Sequence, residues 1–397
     1  MERPRSNVND HSVRHTASAR LSAYSRSDRF SSTGTSSGQG ESAGATTASI
    51  SDHSEMDALD AVPTQFWPRP DSDDDSDKGG EESALRRSVT ATTPKSNTTA
   101  HKIRARLQKF GRSYDKRYDF LPNDAEEKDR NILQHNITLE TLDGRLYLAP
   151  INNPRRVLDL GCGPGNWPLE LARRSPSTKV VGVDIDKIRP PYYLPNCELK
   201  VADFNEKWDY GDKFDFIHLR HLGCLPNKEV IPSIYENLQP GGWAEFTEWI
   251  VVIQSTHNSF SETNFYKWNR YWKKGSSMVG KSVYFALKYK ELLRDAGFRN
   301  ITERKHAVPM NPWPPGRRLQ KLGAMMATNT NRILEAMSMP IFTEVLGWTP
   351  EALRSFLTEV RKDLVDVRFH TFVTLVTIYA QKPRGEDSST ASPIRPG

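Results

Sequence analysis

A short apolar run, Val157-Leu-Asp-Leu160, ends in Gly161-Cys-Gly163-Pro-Gly165 and leads at once into the helix-like stretch Trp167–Arg174. Few features constrain a fold more. A glycine-rich turn between a strand and a helix lets a ligand approach the backbone closely, because no Cβ stands in the way. Two ligand classes use such turns, and spacing separates them. A dinucleotide turn reads G-x-G-x-x-G/A, which after Gly161 and Gly163 requires a small residue where this chain has Asn166. The spacing is instead D-x-G-x-G-x-G, from Asp159 to Gly165.

The pattern around this turn alternates. Val157–Leu160, Val180–Asp184, Glu198–Val201, Phe214–Leu219 and Trp243–Val252 read as strands, and Trp167–Arg174 and Glu229–Leu238 as helices between them. Strands alternating with helices imply right-handed crossovers and an α/β fold, a parallel sheet covered on both faces. Downstream, Lys281–Ala296 reads as a helix capped by Gly297, and Phe298–Pro309 as extended. Arg317–Met337 and Pro350–Val365 read as helices separated by Pro340 and Gly347. Arg368–Gln381 closes as a strand, with alternating Phe369, Thr371, Val373, Leu375, Thr377 and Tyr379 expected to be partly buried.

The strand ends carry the polar residues. Asp184 follows the glycines at the distance where an acid can accept from both ribose hydroxyls of a nucleoside. Asp203 and Phe204 follow the third strand, and Arg220 and His221 the fourth. Leu238-Gln-Pro-Gly-Gly242 turns into the fifth, from which Glu245 and Glu248 face the same end of the sheet. Ligands in such sheets bind beyond the carboxyl ends of the strands. His218 and His221 have a metal-compatible spacing but no third ligand, so no metal is expected.

Composition bounds the rest of the 397 residues. Residues 1–100 are dominated by Ser, Thr, Gly, Asp and Arg, too poor in large apolar side chains to offset the entropy of ordering them. They read as a disordered tail, followed by one domain over 101–383 and a loose tail over 384–397. Within the domain, 150–250 reads as a ligand-binding half and 251–365 as a cap. The net charge of +6 is modest and scattered, which points to a solvated tail rather than a nucleic-acid surface. Three cysteines without a CxxC pair exclude a disulfide scaffold. No signal peptide and no apolar run of membrane-spanning length is visible, so a soluble intracellular protein of nucleus or cytoplasm is expected.

Together, Asp159–Gly165, Asp184 and Asp203 resemble the cofactor motifs of the class I S-adenosylmethionine-dependent methyltransferases. Further segments are similar to the fungal LaeA-like members of that superfamily: Asn123-Asp-Ala-Glu-Glu-Lys-Asp-Arg130, Leu146-Tyr-Leu-Ala-Pro150, Ala296-Gly-Phe298, Val308-Pro-Met-Asn-Pro-Trp313-Pro and Leu346-Gly-Trp348. The resemblance runs from about Gly111 to Pro383. It implies a Rossmann-like, mostly parallel seven-stranded sheet, with the last strand antiparallel and a helical insert before it. It implies S-adenosyl-L-methionine as cofactor, held by Asp159, Gly161, Gly163, Gly165, Asp184, Asp203, Phe204 and Leu219. Asp203 would accept from the adenine amino group while Phe204 packs on the ring. The family acts in secondary metabolism, both as enzymes of natural-product gene clusters and as nuclear regulators working with velvet-domain proteins. One departure concerns the loop, where many relatives have Gly-Thr-Gly-Ile-Trp and this chain has Gly163-Pro-Gly-Asn-Trp167.

Methyl transfer from a sulfonium is an in-line displacement with a good leaving group, so the protein's main task is alignment. A base is needed only where the acceptor must lose a proton. Candidates are His221, Glu245 and Glu248, with Tyr114 as a lid residue. Phe265, Trp268 and Trp272 fall on one face of a helix, which is expected to line or cap the acceptor pocket. The acceptor, small molecule or protein, is not legible, and a cofactor-binding protein without turnover is a further alternative.

Overall fold

In a computed structural model, residues 106–115, 118–223, 226 and 229–385 can be described. The expected tail over 1–100 lies outside them, as does all but the start of 384–397.

Three short strands open the described region: β1 (Arg106–Lys109), β2 (Arg112–Asp115) and β3 (Tyr118–Pro122) form an antiparallel sheet of their own. Nothing in the sequence reading anticipated it. Helix α1 (Ala125–Thr141) follows, its first turn capped by Asp124, whose carboxylate accepts from Glu127 N–H and from the Arg112 guanidinium. The cap stabilises a helix start by about 1 kcal/mol.

The main sheet contains β4 (Arg156–Leu160), β5 (Lys179–Asp184), β6 (Cys197–Val201), β7 (Phe214–Arg220), β8 (Leu238–Ser255), β9 (Arg299–Pro309) and β10 (Thr371–Gln381). Their spatial order is β6-β5-β4-β7-β8-β10-β9. Strands β4 to β8 pair in parallel, and β10 is antiparallel to both β8 and β9. The order reverses direction at β4, between β5 and β7. In open α/β sheets the ligand crevice lies at such a point. This is the mostly parallel seven-stranded Rossmann-like sheet expected, with its last strand antiparallel.

Helices cover both faces. On one, α3 (Val230–Asn237) and α5 (Phe285–Asp295) bury Val230, Ile231, Ile234, Tyr289 and Leu293 against Leu158, Ile217 and Phe246. On the other, α2 (Asn166–Arg174) sets Trp167 and Leu171 against Val157, Val180 and Phe216. A separate core joins α1 and α4 (Asn264–Met278) to α6 (Arg317–Met339) and α7 (Pro350–Val365). In α7 the residues Leu353, Leu357, Val360 and Leu364 are all fully buried, the i, i+4, i+7, i+11 stripe of a helix with one core face. This is the helical insert before the last strand.

Four details differ from expectation. The helix expected from Lys281 begins only at Phe285, and Lys281–Tyr284 is a turn. Pro340 does not end the insert's first helix. The chain widens there into a π-helix, Pro340–Val345, because a proline can occupy the first turn of a new segment, and the break comes at Gly347 with φ +74°. Strand β8 is longer than expected, Leu238–Ser255. Strand β10 starts at Thr371 rather than Arg368, and all residues from Thr371 to Ala380 are buried rather than alternating ones. It is not an edge strand, since β8 and β9 flank it, and its two faces pack into separate cores, Val376, Ile378 and Ala380 in one and Val373 and Leu375 in the other.

Candidate active site

The glycine loop leaves β4 and enters α2 with Gly161, Gly163 and Gly165 all at positive φ. At Gly163 the conformation and the space matter together. It sits at φ +56°, nothing lies within 4 Å of where a Cβ would stand, and the residue lines a cleft. Its N–H donates to Asp184 Oδ2 at 2.8 Å, so the loop is fixed by the acid at the end of β5. Asp184 Oδ1 accepts from Asp186 N–H at 3.0 Å. A carboxylate has about four lone-pair positions, so two hydrogen bonds leave acceptor capacity facing the cleft. Burial pushes the Asp184 pKa up to about 6, against the pull of those two backbone donors.

The cleft extends from this loop to the first turns of α1 and the end of β7, over a cavity of about 200 Å³. Asp159, Gly161, Gly163 and Asp184 line it, with Asn166, Trp167 and Phe204. Gly165 instead starts α2 at φ +88°, packed near Ile188 and Leu199. Asp203 is buried, and its carboxylate accepts from Asn205 N–H at 3.0 Å as a turn residue; Phe204 beside it reaches the cleft. Leu219 is fully buried in the sheet core, while Arg220, His221 and Leu222 line the cleft. Alternation along β7 is the reason, since neighbouring side chains leave opposite faces.

Asp159 meets His218 Nδ1 at 2.7 Å, and both are buried. The His218 ring stacks on Trp167 at 3.9 Å between centroids. His218 is therefore a brace between β4, β7 and α2. Arg220 was not singled out by the sequence reading beyond its place at the strand end. Its Nη2 donates to His135 Nδ1 at 2.8 Å, and His135 Nε2 meets Glu170 Oε2 at 2.7 Å. A guanidinium cannot accept, so Nδ1 of His135 is the acceptor and its Nε2 carries the proton toward Glu170. Arg220 Nη1 is buried with no partner, and burial lowers the Arg220 pKa to about 10. A cationic nitrogen left in this state beside a cleft suits an anionic ligand group.

The base candidates separate. Glu245 is fully buried with Oε2 accepting from Leu148 and Ala149 N–H at 2.8 and 2.6 Å. It ties the segment before β4 to β8, and it lines neither the cleft nor its neighbour cavity. Tyr114, expected as a lid, is fully buried; its hydroxyl donates to Ala336 O at 3.3 Å, which anchors the small sheet to α6. Glu248 accepts from Leu222 and Gly223 N–H at 2.9 and 3.0 Å, holding the strand end of β7. Burial pushes both Glu245 and Glu248 up to about 7.

His221 remains at the centre. It has φ +59°, an uncommon conformation for a non-glycine residue. It lines the cleft and also a second cavity of about 200 Å³ under the helical cap. That second cavity is lined chiefly by apolar side chains, Trp249, Trp268, Trp272, Met310, Met326 and Met337 among them. Trp268 and Trp272 come from α4, the helix expected to cap an acceptor pocket. Their indole N–H groups are spent on Ser338 Oγ and Met337 O, so they present ring faces rather than donors.

Comparison with known proteins accords with this arrangement. Residues 133–303 match the methyltransferase-domain family. The chain is 32% identical over 268 residues to "Methyltransferase pytC" of Aspergillus terreus, covering 66% of this chain and 83% of that protein. It is 30% identical over 274 residues to "Protein-methionine methyltransferase laeA" of Emericella nidulans, covering 66% and 72%. The chain belongs to the LaeA-like methyltransferase family. A third relative, "Probable methyltransferase tdiE" of Emericella nidulans, is 29% identical over 300 residues, 74% of this chain and 94% of that one. As a LaeA-like methyltransferase the protein uses S-adenosylmethionine, and the cleft fits that molecule. It offers an open glycine for close approach, an acid with spare lone pairs, an aromatic face and a guanidinium with one nitrogen, Arg220 Nη1, left without a partner. Among the described residues no helix is long and apolar enough to cross a membrane.

Proposed function

We propose that this LaeA-like methyltransferase transfers a methyl group to an apolar small molecule of secondary metabolism, seated in the cavity under the helical cap. One observation carries the reading. The apolar cavity and the proposed cofactor cleft share Leu121, Arg130, Gln134, His221 and Leu222, so the two adjoin along these side chains. Small-molecule sites are concave and mostly apolar, with a few polar groups that orient the ligand.

The residues divide the work. Gly161 and Gly163 admit the cofactor backbone-close, Asp184 accepts from its ribose hydroxyls, and Phe204 with buried Asp203 receives the base. Arg220 Nη1 takes the carboxylate end. The bound cofactor supplies an electrophilic methyl on a sulfonium. The tryptophans and methionines of the cap exclude water and hold the acceptor in line with it, which is where most of the rate gain of such a displacement arises. The relatives named pytC and tdiE favour a role as a tailoring enzyme. A relative named "Secondary metabolism regulator laeA", of Aspergillus fumigatus, favours a second reading, a regulator of secondary metabolism, for which the family resemblance suggests the nucleus and velvet-domain partners.

Gene deletion followed by metabolite comparison separates them. Loss of one methylated product with accumulation of its unmethylated precursor is the expected result. Silencing of many unrelated products overturns tailoring in favour of regulation.

A further inference from the structure

Five residues border both compartments, and they are not equivalent. Leu121 and Leu222 are apolar. Arg130 is fully occupied: its nitrogens donate to Glu127, Gln134, Asn329 and Asn131 at 2.6–2.9 Å. Gln134 receives one of those bonds. His221 is different. Its Nε2 lies 2.9 Å from Thr138 Oγ1, and that hydroxyl donates its single proton to Gln134 O at 2.9 Å. Thr138 can therefore only accept from the ring, so Nε2 carries the hydrogen and Nδ1 is a bare lone pair. Among the described residues no hydrogen-bond partner meets Nδ1.

The ring is held in this state from every side. Its backbone N–H donates to Thr247 O at 2.9 Å, its face stacks on Trp249 at 5.7 Å, and Thr138 of α1 fixes its edge. Burial, together with Arg130 and His135 of α1 and with Arg220 and His218 of β7, keeps it neutral. Trp249 lines the second cavity, and its indole N–H is likewise buried without a partner. A lone acceptor and a lone donor on stacked rings form a complementary pair. Unmet buried polar groups carry a desolvation penalty that a ligand with matching groups relieves.

Resting on the cavity reading above, we propose that the acceptor is an aromatic hydroxyl compound, whose O–H donates to His221 Nδ1 and whose neighbouring carbonyl or ether oxygen accepts from Trp249 Nε1. As the oxygen–methyl bond forms, the methyl–sulfur bond breaks with its pair left on sulfur, and the hydroxyl proton passes to His221 Nδ1. The resulting imidazolium returns that proton to water when the product leaves. Protons and charge balance, and no further reactant is needed.

The test uses the full chain, S-adenosylmethionine and two fused-ring probes. 2-Naphthol is protonated at neutral pH, and 4-nitro-1-naphthol is ionised there and needs no base. His221→Asn is the informative variant, because Asn tolerates positive φ without being able to accept the proton. The expected result is quenching of tryptophan fluorescence by both naphthols and methylation of both by the wild-type protein. In His221→Asn, methylation of 2-naphthol falls at least 100-fold, the lower end for loss of a general base, while 4-nitro-1-naphthol stays within about threefold. Equal loss on both probes overturns the base role and leaves the cavity reading standing. Binding of both naphthols by wild-type protein without methylation of either overturns the hydroxyl assignment. Failure of either naphthol to bind overturns the cavity reading, and this one with it.

Discussion

The two halves of the proposed site are built by opposite means. The cofactor half, at the ends of β4, β5 and β7, is positioned by backbone: three positive-φ glycines, a loop N–H on Asp184, and carboxylates that hold amides. The acceptor half, under α4, α6 and α7, is positioned by side-chain packing of tryptophan, methionine and leucine. Backbone hydrogen bonds and forbidden φ values tolerate almost no substitution, whereas an apolar wall can be rebuilt from any set of side chains of similar volume. The first half is thus suited to one invariant ligand and the second to a ligand that changes from relative to relative.

The largest effect should come from breaking the rigid half. Gly163→Asp puts a carboxylate into the open space of the cleft, beside Asp184. Affinity for S-adenosylmethionine measured by calorimetry should fall more than 100-fold, at least about 2.7 kcal/mol. Circular dichroism should still show a folded protein, because an added Cβ meets nothing within 4 Å and the strain of φ +56° is confined to the loop. Asp184→Ala should fall in the same direction. Unchanged affinity in both would remove the loop from the cofactor site.

The clamp on the β7 exit comes next. Glu248 presents one oxygen each to Leu222 and Gly223 N–H. Glu248→Gln keeps the volume but turns an amide nitrogen toward one of those donors. An unmet buried donor costs about 1–3 kcal/mol, to be read from the urea midpoint. A midpoint equal to wild type would mean that the clamp adds nothing to the fold.

The packed half should respond differently. Ile333 lines the acceptor cavity and is only partly buried, so Ile333→Trp can fill the cavity with little strain. Methylation of the native acceptor or of 2-naphthol should drop about tenfold, about 1.4 kcal/mol, while cofactor affinity stays within about twofold. Equal loss of both would show that the two halves are not separable.

This division explains what was legible in the chain. The sheet, the helical insert and the strand-to-helix turn at the glycines were legible because turn chemistry and periodicity are local properties. Leu219 was assigned to the cofactor although strand alternation turns it into the core. Tyr114 was read as a lid, yet it is buried against a carbonyl more than 200 residues away in sequence. Glu245 looked like a base because its partners, Leu148 and Ala149 N–H, are backbone groups that no motif displays. Arg220, His135 and Glu170 form a hydrogen-bonded chain from three separate elements, and spacing within the sequence carries no trace of it.

That chain offers the smallest effect and a pH-dependent one. Burial, with Arg220 nearby, lowers the His135 pKa to about 4 from its ordinary 6.5, despite the hydrogen bond to Glu170. Between those values the unfolded chain holds a proton that the folded one refuses. His135 therefore favours folding fully above pH 6.5, and that contribution is lost as pH falls toward 4. Acidification from pH 7 to 5.5 should cost about 1 kcal/mol through this residue. His135→Gln can still accept from Arg220 through its oxygen and donate to Glu170 through its nitrogen, but it does not titrate. Urea midpoints of the variant should fall less steeply over that window than those of the wild type. Parallel slopes would mean that the folded ring takes up its proton as readily as the unfolded one, and at acidic pH Arg220 would then need a partner other than His135.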